Sequence, residues 1–352
     1  MVRFPSTVRI ACTVGAALGA LLPICGCERA APLEYRSSDQ VQALSPELQK
    51  QLREVLEKNC GTTDRPKLMG DELASLDHLL HGRTVYLQRC VHCHGFSGDG
   101  QGEAAKWLDP RPRDYRRGRF KFTSTPYGTR PLHSDLERTV RAGVPGTSMP
   151  SFNLLPARDI EAVVDYVLVL THRGELEFQL AQEADASEAL EPAAVADLVA
   201  EVLEPWKEAR ANASQPLTTQ PVFTAERVAA GRQAFLTRGC SKCHGEDGRG
   251  QTSDNLRGDL KDFWGHATKA ADLTSGLLHG GHRPEDIYRR IFNGISGTPM
   301  PSFQMSLGAE PETFWNLVAY VLYVSNRRRA GEIPEAGLMP TAGEGAGSSS
   351  QQ

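Results

Sequence analysis

Apolar residues recur at steps of three and four along several stretches of the chain, a spacing that predicts amphipathic helices. The clearest case begins at Pro46, where Ser45 suits the N-cap, and ends before Gly61. Cys60 lies on the apolar stripe of this helix, so we expect it to be a buried packing residue and not a reactive thiol. These patterns predict an all-α fold, with further helices around Gly82 and Tyr86, at 135–142, at 158–171 and at 195–206.

Part of this pattern occurs twice. The sequence GTSMPSF at 146–152 returns as GTPMPSF at 297–303, and residues 135–139 are echoed at 286–290. Self-similarity of this kind indicates a duplicated domain. The alanine- and glutamate-rich stretch between the copies, 174–221, is expected to be a partly helical linker.

Each copy contains a Cys-x-x-Cys-His motif, CVHCH at 90–94 and CSKCH at 240–244. This is the attachment pattern of a c-type haem, in which two thiols bond to one porphyrin and the histidine binds the iron. A zinc site made from both pairs is disfavoured because a whole domain separates them, and a thioredoxin-like motif because no βαβ pattern surrounds them. We expect two covalently bound haem c groups, attached at Cys90, Cys93, Cys240 and Cys243, with His94 and His244 as iron ligands.

Length and composition narrow the function classes. The 352 residues allow about two domains, in agreement with the two copies. The formal net charge of −4 is small, so composition indicates neither a nucleic-acid partner nor a strongly polarised surface. Four cysteines belong to the motifs, three lie before residue 28 and Cys60 stands alone, which leaves no obvious structural disulfide.

Residues 1–26 are typical of a signal peptide, because Arg3 and Arg9 precede an apolar run that is short for a transmembrane helix. The sequence ICGC at 24–27 resembles the lipobox of bacterial lipoproteins, which would make Cys27 the lipidated N-terminus of the mature chain. The alternative is a soluble periplasmic protein cleaved nearby. We expect the periplasmic side of a bacterial membrane, with the outer membrane favoured because glutamate and not aspartate follows Cys27.

On these motifs each copy resembles a class I c-type cytochrome domain, and the pair resembles bacterial di-haem cytochromes c. The resemblance implies two tandem cytochrome c domains, at 73–173 and 222–329, with a lipid-anchored tether and helix at 27–72 and a disordered tail at 330–352. It also implies that the N-terminal and last helices of each domain cross at a glycine and two aromatic rings. These residues are Gly82, Tyr86 and Tyr166 in the first domain, and Gly231, Phe235 and Tyr320 in the second.

The sixth iron ligand of this family is a methionine on a loop before the last helix. Met149 and Met300 lie in the repeated frame and follow the haem motifs at nearly the same distance, so the resemblance implies that they bind the irons. A neutral thioether favours Fe(II) and raises the reduction potential. Histidine is the alternative ligand, but His133, His279 and His282 do not align between the copies, so we expect them in loops or at the surface.

Other residues near the motifs are expected to contact the haems. The resemblance implies that each motif histidine donates its second N–H to a carbonyl, that of Pro110 or Pro112 in the first domain. The second domain has no proline there and must use another carbonyl. Trp107 and Trp264 are expected to pack on porphyrin. The basic stretch 111–121 would neutralise haem propionates or dock an acidic redox partner.

Two irons closed by histidine and methionine have no free position for a substrate, so the leading hypothesis is an electron carrier and not an enzyme. Its partners would be redox proteins, a quinol-oxidising complex on one side and a terminal oxidase or reductase on the other, with no nucleic acid and no small-molecule substrate. One alternative is a di-haem redox enzyme of the peroxidase or thiosulfate-oxidising type. Another is a fixed cytochrome subunit of a respiratory complex.

Overall fold

Helices form the secondary structure in the computed structural model, which describes residues 34–329. No β-strand occurs in this range, and the predicted all-α fold is confirmed. The predicted signal peptide at 1–26, Cys27 and the tail at 330–352 lie outside the described residues. The α-helices are α1 Asp39–Ala43, α2 Pro46–Cys60, α3 Leu76–Arg89, α4 Val91–His94, α5 His133–Ala142, α6 Ala157–Ser187, α7 Pro192–Ala211, α8 Ala225–Thr237, α9 Ser241–His244, α10 Ser253–Arg257, α11 Pro284–Asn293, α12 Gln304–Leu307 and α13 Pro311–Arg329.

Side-chain caps begin several of these helices where the sequence favours them. Ser45 Oγ accepts from Leu48 N at 3.3 Å at the predicted start of α2, and Gly61 follows its last residue with a φ of 74°. Ser75 and Thr224 cap α3 and α8 in the same way. These caps fix where the two helices that lead into the Cys-x-x-Cys-His motifs begin. Within 34–329, no helix combines the length and hydropathy needed to cross a membrane.

In each repeat the N-terminal helix crosses the last helix at a glycine. A Cβ added to Gly82 of α3 would stand 2.0 Å from the carbonyl oxygen of Ala162 in α6. One added to Gly231 of α8 would stand 1.8 Å from that of Asn316 in α13, so only glycine permits either approach. Aromatic rings pack beside each glycine in the expected pairs, with centroids 5.4 Å apart for Tyr86–Tyr166 and 5.1 Å apart for Phe235–Tyr320.

A further apolar cluster braces the first repeat. It joins α2, the second half of α6 and α7, so the helix before residue 73 packs on the first repeat. Cys60 is fully buried in this cluster, as expected, and burial raises the pKa of its thiol to about 12. Other buried members are Leu52, Leu56, Leu176, Leu180 and Val202.

The helix predicted at 158–171 is only the first half of α6, which continues to Ser187. Gly174, where the sequence suggested the start of a linker, lies inside this helix. Its role is close packing, because a Cβ there would stand 2.5 Å from Arg116 Cα. The chain between the repeats therefore begins as part of a core helix.

The segment predicted to be a tether is docked on the first repeat from its first described residues. The hydroxyl of Tyr35 lies 3.4 Å from that of Tyr166, and Arg36 N donates to Ser97 Oγ at 2.6 Å. Helix α1 follows directly and also contacts α6. The part of the tether that the structure describes thus belongs to the packed domain, because it buries aromatic and polar groups against α6 and the first motif loop.

Candidate haem-binding sites

The first Cys-x-x-Cys-His motif forms a short helical turn after α3. Helix α4 holds Cys93 and His94, and Cys90 is the residue between α3 and α4. All three side chains line one cavity, whose other walls come from α3, α5, α6 and the loop at 108–122. Two thiols and one imidazole around a single cavity are what covalent attachment of one haem requires.

His94 is held in the form that binds a metal. Its Nδ1 lies 3.1 Å from the carbonyl oxygen of Arg113, and because a carbonyl only accepts, Nδ1 carries the proton. Burial lowers the pKa of His94 to about 4, so the ring is neutral at pH 7. The other ring nitrogen is left for the iron. The carbonyl partners predicted for this histidine, those of Pro110 and Pro112, are wrong.

One backbone contact selects the carbonyl that holds the histidine in both repeats. Tyr115 N donates to Gly98 O at 2.8 Å, and Leu273 N donates to Gly248 O at 2.8 Å. Each contact brings the carbonyl two residues earlier against the motif histidine, so a proline is not needed. In the first repeat the ring of Tyr115 also stacks on His94, with centroids 4.8 Å apart.

The second motif is arranged in the same way. His244 Nδ1 lies 2.9 Å from the carbonyl oxygen of Ala271, which confirms that a non-proline carbonyl serves it, and burial lowers its pKa. Asn255 joins the loops around this histidine. Its amide nitrogen donates to Gly250 O at 2.6 Å, and its Oδ1 accepts from Ala270 N at 3.0 Å. The amide therefore fixes the segment that carries the carbonyl.

The two methionines lie in loops with the same hydrogen bonds. Thr147 Oγ1 accepts from Met149 N at 3.1 Å, and Thr298 Oγ1 accepts from Met300 N at 3.2 Å. Each methionine carbonyl accepts an N–H from the start of its own loop, at 3.0 Å in the first repeat and 3.1 Å in the second. Met149 also lines the cavity that contains His94. The loop geometry is thus duplicated with the sequence.

The residues of both sites fit a haem. In the first cavity, apolar side chains from α3, α5 and α6 surround the thiols, the imidazole and the thioether, and Arg111, Arg113 and Lys121 supply cations for propionates. Burial, with Arg113 nearby, lowers the pKa of Lys121 to about 8. In the second repeat, Trp264 Nε1 is buried and has no hydrogen-bond partner among the described residues, as expected of a donor whose acceptor belongs to a cofactor.

Much of the basic stretch 111–121 lies between the two repeats. The guanidinium of Arg113 stands 3.7 Å from the ring centre of Trp264, and that of Arg119 stands 4.3 Å from the ring centre of Phe263. Because these two cations are covered by the second repeat, they do not form a free docking patch. No repeat or period in the sequence indicates this contact between the domains.

Other predicted contacts have mixed outcomes. Trp107 is 79 % exposed and is not among the described residues that line the first cavity, so its packing on porphyrin stays a prediction. His133 Nε2 donates to Asp165 Oδ1 at 2.9 Å in a partly exposed position, and His282 is exposed, as expected. His279 differs, because it lies in the wall of the first cavity although it belongs to the second repeat.

Known proteins resemble the chain in both repeats. Residues 77–167 match the family described as cytochrome c oxidase, cbb3-type, subunit III, and residues 228–325 match the cytochrome c family. No curated protein matches the chain. A chain of the Kuenenia stuttgartiensis reducing HAO-like protein complex is similar in structure, with 29% sequence identity and a TM-score of 0.54. The similarity covers 69% of this chain and 95% of that chain.

The two family matches and the two sites coincide. Each matched range contains one Cys-x-x-Cys-His motif and one methionine loop. Cytochrome c domains bind haem c covalently, so the tandem pair implies two such groups in this chain. The protein is therefore a di-haem c-type cytochrome, built from two cytochrome c domains in tandem.

Proposed function

We propose that the protein carries single electrons between redox proteins, with each of its two haems bound by one histidine and one methionine. The observation that carries this proposal is the repeated methionine loop. Met149 and Met300 have the same backbone hydrogen bonds, and Met149 lines the cavity that contains His94. An iron with both axial positions filled has no site for a substrate, which favours electron transfer over chemistry on a bound molecule.

Haem c supplies reversible one-electron chemistry when it is bound. The chain contributes the cysteines that attach it, Cys90 and Cys93 in the first domain and Cys240 and Cys243 in the second. A backbone carbonyl orients each proximal imidazole, and apolar walls restrict water around the first site. Fixed ligands on both sides would keep the geometry similar in the two redox states, which suits rapid exchange with a protein partner.

The proposed location is the periplasmic side of a bacterial membrane, with a lipid anchor at Cys27 and the outer membrane favoured. It rests on the signal-like sequence at 1–26 and on the resemblance of ICGC to a lipobox. The proposed partners are a quinol-oxidising complex as donor and a terminal oxidase or reductase as acceptor. Replacement of Cys27 by Ser should release the protein from membranes, and continued association would refute the anchor.

A second candidate function is that of a fixed subunit in a larger redox complex. The comparisons favour it, since one domain matches an oxidase subunit family and the similar solved chain belongs to a HAO-like protein complex. Both roles need the same haem ligands and differ only in the affinity for a partner. Purification under mild conditions separates them, because a fixed subunit would retain other chains in stoichiometric amount. A haem enzyme remains the other alternative and would need an iron with an open or releasable ligand.

Optical spectroscopy of the purified mature protein tests the ligands. In the ferric state we expect the long-wavelength band of methionine-to-iron coordination with an intensity that corresponds to two haems. In the ferrous state carbon monoxide should not bind under native conditions. A high-spin haem, or ready binding of carbon monoxide to either iron, would contradict the carrier and favour an enzyme.

A further inference from the structure

The two methionine loops lie near the contact between the domains. In the first domain, a Cβ added to Gly146 would stand 3.4 Å from His279 Nε2 and 3.4 Å from Leu277 Cβ, both of the second domain. Gly146 begins the frame that contains Met149. Among the described residues that line the first cavity, His279 alone belongs to the second domain. Part of the wall beside the first methionine loop is thus supplied by the other domain.

The second methionine loop receives the reciprocal contact. The hydroxyl of Tyr127, in the first domain, donates to the carbonyl oxygen of Thr298 at 2.9 Å. Thr298 is also the residue whose Oγ1 accepts from Met300 N. One threonine therefore receives a hydrogen bond from its own methionine and another from the opposite domain.

A buried arginine holds the two domains in this arrangement. Arg290 of α11 donates to the carbonyl oxygens of Lys121, at 3.1 Å, and of Thr123. The residue between them, Phe122, lines the first cavity, and Arg138 of its own domain donates to its carbonyl oxygen at 3.0 Å. Three consecutive carbonyls are thus bound by two arginines, one from each domain. This fixes a cavity wall relative to α11.

We propose that each methionine loop is positioned by the opposite domain, so that His279 sets the reduction potential of the first haem and Tyr127 that of the second. The inference rests on the proposed function, because it assumes that Met149 and Met300 are the iron ligands. Both side chains are positioning residues: they act on the loop and on its exposure to water, not on the iron. Water stabilises the more highly charged ferric state, so a loop that opens lowers the potential.

The charge of His279 does not complicate this effect. Burial and the neighbouring Lys121 both lower the pKa of His279, so the ring is neutral at pH 7. Among the described residues it has no hydrogen-bond partner, and its removal leaves no partner unsatisfied. Replacement by alanine therefore changes space and access of water at the cavity edge.

The test is a redox titration of holoprotein variants in which the effect is read in the opposite domain. His279→Ala is measured in a Met300→His background and Tyr127→Phe in a Met149→His background, so that the haem under test titrates apart from the other. We expect His279→Ala to lower the midpoint of the first haem and Tyr127→Phe to lower that of the second. The methionine-to-iron band of the same haem should weaken.

Controls separate this effect from a general loss of structure. His282→Ala removes an exposed histidine three positions from His279 and should move neither midpoint. His279→Gln keeps a side chain at the cavity edge, so the midpoint of the first haem should stay close to that of the parent protein. Each interface variant is also the control for the other, because the two are expected to act on different haems. Thermal melts should show that all variants are folded.

The outcomes distinguish this inference from the proposed function. If Met149→His and Met300→His fail to displace one midpoint each, the ligands are wrong and the proposed function fails. If they do displace them while His279→Ala and Tyr127→Phe leave both midpoints unchanged, only the crossed positioning fails. A shift confined to the haem of the substituted domain would overturn it as well.

Discussion

The two haem domains have the same backbone frame around the histidine but different side chains on it. In the first domain the segment that supplies the carbonyl carries Arg113 and Tyr115, while the equivalent residues of the second domain are Ala271 and Leu273. Tyr115 stacks on His94, and Arg113 extends to the second domain. The orientation of the ligand thus depends on main-chain contacts that were duplicated. The side chains around the histidine, which adjust the reduction potential of the haem, differ between the two domains.

In the second domain a longer segment separates the motif histidine from the residue whose carbonyl it contacts. Arg113 follows His94 by 19 positions, whereas Ala271 follows His244 by 27. The longer segment contains the buried Asn255 that fixes its loops, as well as Phe263 and Trp264, which face the first domain. One domain is thus stabilised by extra helices around it and the other by an amide inside its loop.

The largest effect is expected from exchange of the sixth ligand. Met149→His and Met300→His should keep the haems attached but lower one midpoint each by on the order of 0.1 V or more, because imidazole stabilises Fe(III) better than a thioether does. A potentiometric titration followed optically measures both. If the two substitutions moved the same transition, the assignment of one ligand to each domain would be wrong.

The helix crossings provide the next test. Gly82→Ala and Gly231→Ala each force a Cβ to about 2 Å from a carbonyl oxygen. Each substitution should lower the free energy of unfolding by about 3 kcal/mol, which is at the upper end of the range for overpacked cores. We expect the lower melting temperature for Gly231→Ala, since the first domain is also held by α2 and α7. Gln233→Ala, on the exposed face of α8, is the control. Equal losses would contradict the bracing role of the extra helices.

The amide of Asn255 should matter only for the second domain. Asn255→Ala removes its hydrogen bonds to Gly250 O and Ala270 N and leaves buried groups unpaired. This should lower the free energy of unfolding by about 2 kcal/mol. We expect a lower melting temperature together with a shift in the midpoint of the second haem alone. Ser253→Ala, at an exposed position of the same short helix, is the matched control. A shift of both midpoints would show that the loop also acts on the first domain.

The smallest expected effect is a pH dependence in the first domain. The hydrogen bond to Asp165 raises the pKa of His133. A raised pKa means that the contribution of His133 is fully present below its unfolded pKa and is lost as the pH rises through the folded value. His133 is partly exposed, so the contribution is below about 1 kcal/mol. Denaturant unfolding of His133→Ala should differ from that of the parent more at pH 5.5 than at pH 9.

The sequence was sufficient for features that depend on local spacing or on duplication. The Cys-x-x-Cys-His motifs and the methionine frames each appear twice, and the helix crossing needs a glycine at a position that both copies keep. The all-α fold and the two haems follow from these features and are confirmed. The ligand assignments of Met149, Met300, His94 and His244, and the anchor at Cys27, stay predictions.

Features that join distant parts of the chain were not predictable in this way. The contact of Arg113 with Trp264 and the place of His279 in the first cavity have no repeat or period that marks them. Gly174 shows a different limit of sequence-based prediction, because the sequence alone does not distinguish a glycine packed inside a helix from one that ends it. Only the approach of Arg116 distinguishes the two. A sequence pattern predicts that a segment can form a helix, but tertiary packing determines where that helix ends.

The continuity of α6 has a consequence for how the protein opens locally. Its first half contributes Ile160, Val164 and Leu170 to the core of the first haem domain, and its second half contributes Leu176 and Leu180 to the cluster with α2 and α7. Fraying from either side would have to break one uninterrupted ladder of amide hydrogen bonds. Deuterium uptake should therefore be uniformly slow across both halves, and the attached helices should unfold with the haem core as a single cooperative unit.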